Sequence, residues 1–381
     1  MKAGAGLAGL LAWLATGAAV LALLAAEDDM RLPPLPGPYP DAPSGTVTDD
    51  YHGTRVADPW RWLEDVSSPE TAAWVAAQNE LTGRYVAGLP GRDRFATRLR
   101  ALLNHERQGV PDREHGVYVY AFNPGTADQD VLRVADAPDS PGRVLVDPAA
   151  FRADGTASIG DFSLSPDGSR LAYAVSDGGS DWRTWRVRDI ASGTDDPVVL
   201  EGTKFTGVSW SRDGKGFYYS RYPRREDGEG YDDGRQVAVH FHALGTAQAA
   251  DPLIYAVTDH PTRDPYAQVT PDGRFLLIAL EDGYVTNALH YRRLATDGTP
   301  GPVVPLLDAW DARYEFLGAV GDTFYLLTTN AAPRGRVIAV DLSAPARDDW
   351  REVIPEGERV IEAAAVIGDR LVVQSIADVR T

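Results

Sequence analysis

His240-Phe241-His242 places two imidazoles at i and i+2, which an extended strand turns to one face. Two histidines so placed are half of a metal site, but no third ligand stands nearby, so ordinary strand positions are the expectation. His105-Glu106 falls at a helix end, where a histidine serves the terminal carbonyls and the dipole. A serine nucleophile on an α/β-hydrolase sheet needs the sharp G-x-S-x-G turn. Gly207-Val208-Ser209-Trp210-Ser211 comes nearest and lacks the second glycine. H-E-x-x-H, the P-loop and the dinucleotide fingerprint are absent. The chain has no cysteine, which removes thiolate nucleophiles, thiolate metal sites and disulfides together. No catalytic, metal or cofactor residue is therefore assigned.

With 37 Lys and Arg against 55 Asp and Glu, the net charge is -18. That disfavours nucleic acid, whose phosphates need a basic face, and serves solubility. Residues 3–26 carry no charge and lie between Lys2 and Glu27-Asp28-Asp29. This stretch is long enough to span a bilayer and reads as a signal peptide or membrane anchor at 1–26. The expectation is an exported chain, periplasmic or extracellular, touching a membrane only through this segment. Residues 27–45 form a proline-rich linker, with prolines at 33, 34, 36, 38, 40 and 43.

The residues from about 67 to 104 read as helical. Ser67-Ser68-Pro69-Glu70 resembles a capping box with proline in the first turn. Trp74, Gln78, Leu81 and Tyr85 follow helical spacing, and Gly88, Pro90 and Gly91 interrupt it. A second helix carries Phe95, Leu99, Leu102 and Leu103 on one face, which needs a partner surface.

From about residue 105 the pattern becomes short strands separated by a recurring turn. Ser165-Pro166-Asp167-Gly168, Ser211-Arg212-Asp213-Gly214 and Thr270-Pro271-Asp272-Gly273 are the strongest copies. Weaker ones are Glu114-His115-Gly116, Gly321-Asp322 and Gly368-Asp369. The glycines at 116, 168, 214, 273, 321 and 368 step by 52, 46, 59, 48 and 47 residues. A hairpin signal with a period near fifty predicts a β-propeller. Residues 225–234, polar and glycine-rich, read as a long loop without the acidic spacing of an EF-hand.

The most specific residues are Asp50-Tyr51-His52-Gly53 and Val56-Ala57-Asp58-Pro59-Trp60-Arg61-Trp62-Leu63-Glu64-Asp65, an aromatic and charged cluster before the first helix. This segment, with Ala76-Ala77-Gln78-Asn79, resembles the N-terminus of the prolyl oligopeptidase family of serine peptidases, the prolyl endopeptidase type. The likeness continues through Gly179-Ser180-Asp181-Trp182, Lys204-Phe205, Ser209 to Tyr219, His242 to Thr246 and Gly273-Arg274. It implies an all-β fold: a seven-bladed-type propeller, here incomplete at about five to six blades over 105–381. A helical segment at 46–104 precedes it and would belong to an α/β-hydrolase domain. The family's catalytic Ser, Asp and His lie in a C-terminal piece of that domain, which this sequence does not include; the chain alone is expected to be inactive.

The resemblance further implies short peptide substrates, that hydrolase domain as a partner, and no cofactor. Phe205 matches an aromatic that lines the substrate side of the family's cavity; a blade-core aromatic is the competing reading. The family also sends an arginine from the propeller toward the bound peptide. At or near that position stands Glu281, a departure that puts strict proline specificity in doubt. Two alternatives stay open: a non-catalytic propeller binding peptides or proteins, and an oligopeptidase of the same family with basic-residue specificity.

Overall fold

The computed structural model describes residues 32–381 except 229, 233, 235, 236, 261 and 369. The expected leader or anchor at 1–26 lies outside them. No helix among the described residues is long and apolar enough to cross a membrane. The chain divides after His105 into two compact units.

In the first unit the strands Thr48–Tyr51 and Thr54–Ala57 pair antiparallel. His52 (φ +55°) and Gly53 (φ +91°) make the tight turn between them. The cluster read from sequence as aromatic and charged is therefore first of all a hairpin. Arg61 binds it to the following 3-10 turn. Its guanidinium donates to Asp58 at 2.5 Å and also to Asp49. These two carboxylates, Asp58 first, hold its pKa above the usual arginine value.

Helix α1 (Pro69–Ala87) starts from Ser68, whose Oγ accepts from Thr71 N at 3.1 Å. The cap is thus one residue later than the Ser67 of the sequence reading, because Pro69 at the first helical position fixes the register. Thr71 and Leu81 are its buried residues. Helix α2 (Arg92–Leu103) buries none. Phe95, Leu99, Leu102 and Leu103 are 51–63% exposed.

The second unit is a succession of antiparallel sheets. The first contains Arg107–Gln108 and Asp112–Glu114, both paired to Val117–Asn123, then Val131–Ala135 and Arg143–Val146. Four four-stranded sheets follow in strict chain order. The second runs Ser158–Leu164, Arg170–Ser176, Trp182–Asp189, Leu200–Lys204; the third Val208–Trp210, Gly216–Arg221, Ala238–Ala243, Leu253–Tyr255. The fourth runs Asp264–Val269, Phe275–Asp282, Thr286–Arg293, Val304–Leu307; the fifth Tyr314–Val320, Thr323–Thr328, Arg336–Asp341, Arg351–Ile354. A two-stranded sheet, Val360–Ile367 and Arg370–Ile376, comes last. No pairing among the described residues closes the last sheet onto the first.

Five of the six predicted turns sit between the first and second strands of a sheet, and the Gly116 turn joins Asp112–Glu114 to Val117–Asn123 in the five-stranded first sheet. All six glycines have positive φ, from +59° to +84°. In the three strong copies the hydrogen bonding repeats atom for atom. Gly168, Gly214 and Gly273 each donate to the carbonyl three residues back, at 2.8, 2.9 and 2.7 Å. The Ser or Thr hydroxyl donates to the Asp carboxylate at 2.6, 2.8 and 2.6 Å, and that oxygen also accepts from the backbone N–H two residues on. The signal recurs because each side chain satisfies the turn's own backbone.

Successive turns also interlock. Arg212 donates to the Asp272 carbonyl of the next turn, and Arg274 donates to Asp322 of the one after at 2.5 Å.

Neighbouring sheets pack face to face through apolar clusters. Val119, Leu132 and Val134 meet Leu171, Tyr173 and Val175; Trp185 and Leu200 meet Trp210 and Phe217. Phe275 meets Phe324 edge-to-face, with centroids 5.0 Å apart. This is the arrangement of propeller blades.

Candidate functional site

The first strands of the second to fifth sheets face a common cavity of about 910 Å3, lined by Ser163, Ser209, Gln268 and Glu315 among others. Their apolar neighbours, such as Leu164, Trp210 and Tyr314, belong to the clusters between sheets and also reach the cavity wall. Glu281, at the end of the second strand of its sheet, also lines this cavity. It does not stand alone there. Arg313 grips it through Nη1 at 2.7 Å and Nη2 at 3.4 Å, a two-pronged pair from the next sheet. The Glu281 carboxylate, the departure noted in the sequence, is thus paired with an arginine that remains 42% exposed. Beside them, burial first and then Asp264 push the Tyr266 hydroxyl up, so it stays a neutral donor.

Phe205 joins the second sheet to the third. It takes φ +56°, a left-handed conformation that disfavours a bulky residue, and is 61% exposed. The blade-core reading is therefore excluded. The ring is not in the wall of the large cavity; it stands on the surface with Lys204 Nζ 5.6 Å from its centroid. That same ammonium is 5.5 Å from the Trp182 ring, which meets Tyr222 edge-on at 5.4 Å. The result is an aromatic patch threaded by a cation.

The histidines have protein partners. His242 Nδ1 lies 2.9 Å from Asp251, which also accepts from Tyr219 at 2.7 Å, all three buried. His240 Nδ1 lies 3.0 Å from the Ala238 carbonyl, and burial, then Arg221, lower its pKa. His105 Nδ1 lies 3.0 Å from the Leu102 carbonyl at the end of α2. Among the described residues no group of three or more acidic, histidine or cysteine side chains is placed to hold a metal. Arg313 is the site residue that sequence reasoning missed. It is 32 residues from Glu281, just before the first strand of the next sheet, and no local motif marks it.

The description of the prolyl oligopeptidase N-terminal beta-propeller domain matches residues 40–381. This chain belongs to the prolyl oligopeptidase family. It is 33% identical over 327 residues to a prolyl endopeptidase of Elizabethkingia meningoseptica, covering 85% of this chain and 45% of that protein. It is 31% identical to a dual function macrocyclase-peptidase of Galerina marginata, covering 84% and 48%. A solved prolyl endopeptidase structure superposes with a TM-score of 0.80 at 31% identity, over 90% of this chain and 50% of that one. The Galerina marginata prolyl oligopeptidase B, solved with a bound 35mer substrate, gives 0.75 at 28% identity, over 88% and 51%. The chain spans about half the length of the curated relatives it matches. These relatives are peptidases by name, and the repeated sheets are the family's propeller.

Proposed function

We propose that this chain is the propeller-bearing part of a serine endopeptidase that hydrolyses short peptides on the carboxyl side of proline. The family match over residues 40–381 carries the reading. The sheets, set around their cavity, restrict access to short peptides, and the Glu281–Arg313 pair and Tyr266 supply polar groups on that path. Phe205 offers an exposed ring against which a proline can pack. Nucleophile, base, orienting aspartate and oxyanion hole belong to an α/β-hydrolase domain, to which residues 46–104 contribute a piece. The exposed apolar face of α2 supports that last assignment. The uncharged segment 3–26 supports export.

A non-catalytic peptide-binding propeller is the second reading, favoured by the lack of a G-x-S-x-G elbow in these residues. The test is cleavage of a prolyl reporter peptide. The 381-residue chain alone is expected to be silent and the two-domain protein active. A coding sequence without an elbow after Thr381 would favour the second reading. Inhibitor-sensitive cleavage by the chain alone would overturn the division of labour.

A further inference from the structure

A second cavity, of about 740 Å3, opens between the second sheet, the segment at Phe151 and the loop of the third sheet that carries Tyr231. Its size is that of a small-molecule or short-peptide site, about 300–1,000 Å3. Two features set it apart from the rest of a chain of charge -18. Four arginines line it, Arg152, Arg183, Arg186 and Arg224, against the two carboxylates of Asp177 and Glu201. Three aromatic rings, Phe151, Trp182 and Tyr231, supply apolar wall beside those charges.

The wall is built rather than incidental. Tyr231 lies flat on Gly202, whose φ is +75° and where a Cβ would come within 2.3 Å of the ring. Its hydroxyl donates to Glu201 at 3.2 Å, and Arg224 stacks over it at 4.8 Å while pairing with the same Glu201 at 3.1 Å. Arg152 is held by Asp154 and Asp177 at 3.1 and 3.3 Å. Those two arginines have their carboxylates. Arg186 differs. It stacks on Phe151, 5.1 Å from the centroid, and its Nε is buried without a hydrogen-bond partner. The Nε itself is sealed from the cavity, so a ligand oxygen would meet the outer guanidinium nitrogens of this cation, which has no carboxylate partner among the described residues.

We propose that this cavity binds the free carboxylate of a short peptide, with Arg186 taking the carboxylate and Phe151, Trp182 and Tyr231 holding the apolar residue next to it. That the anion is a peptide's rests on the proposed function; the carboxylate chemistry rests on Arg186 and the aromatic wall. Calorimetry on the 381-residue chain compares one proline-containing tripeptide as free acid and as C-terminal amide, with inorganic phosphate as a third titrant.

The free acid is expected to bind at least about tenfold more tightly than the amide, as suits a charge-assisted pair. Arg186→Met, which keeps the stem on Phe151, is expected to remove that difference. Tyr231→Ala is expected to weaken acid and amide alike. Equal binding of acid and amide by the unmutated chain overturns the carboxylate assignment, with no appeal to any variant's folding. Undiminished acid binding by a folded Arg186→Met chain does the same. Phosphate binding as tightly as the peptide acid overturns the peptide assignment. Because binding and not cleavage is read, each of these failures leaves the peptidase reading standing.

Discussion

The fourth and fifth sheets and helix α2 are made of similar side chains with opposite outcomes. Along Phe275–Asp282, residues 275, 276, 277 and 278 are 0–2% exposed, and Phe324 and Leu326 opposite are fully buried. Along α2, Phe95, Leu99, Leu102 and Leu103 keep more than half their surface in water. The sheets find their partners in the adjacent repeat, so a hydrophobic face made by one hairpin is covered by the next. Among the described residues of its own unit the helix has no such neighbour, and most helical stability comes from packing such a face. The same apolar content therefore reports self-sufficiency in one region and an unmet requirement in the other.

The contrast can be broken most sharply in the sheets. Phe275→Ala should lower unfolding free energy by about 3–5 kcal/mol, since it empties a site closed by Phe324 and Tyr291. Denaturant midpoints check this. Ser68→Ala, which deletes the α1 cap, should cost about 1 kcal/mol or less and should leave the sheets' transition unchanged if the two units unfold separately. Phe205→Gly relieves a left-handed non-glycine residue whose side chain is mostly exposed. It should stabilise by on the order of 0.5 kcal/mol while weakening proline-peptide binding.

His290 gives a pH dependence confined to the sheet unit. Burial first, countered by Asp308, holds its pKa below the usual histidine value. The fold thus prefers the neutral ring. Its contribution is complete above the unfolded value of about 6.5 and declines as pH falls below it. His290→Asn should flatten that part of the stability profile between about pH 7 and 5. The smallest effect is expected at α2, where Leu99→Ala should change stability by less than about 0.5 kcal/mol and reduce self-association.

The repeat was legible because each turn solves its hydrogen bonding locally. Asp167, Asp213 and Asp272 each bond residues within two positions, so the chemistry is written in adjacent letters. The same local logic exposed the helices and the bare face of α2. What was not legible lies between repeats or against type. Nothing near Glu281 announces Arg313, and nothing near Arg186 announces Phe151, because each pair is brought together by sheet packing. Phe205 was ambiguous for a different reason. A positive φ at phenylalanine cannot be read from a residue that usually avoids it. The His52-Gly53 hairpin was hidden for the same reason, since its first turn residue is a histidine at positive φ.

Native-state hydrogen exchange on the 381-residue chain tests the central contrast most directly. Amides of Phe275–Asp282 and Thr323–Thr328 should exchange only through global opening of the sheet unit. Those of Arg92–Leu103 should exchange orders of magnitude faster, and, on the proposed function, should slow when the hydrolase domain is joined to the chain. A helix α2 as protected as the central strands in the chain alone would contradict the account.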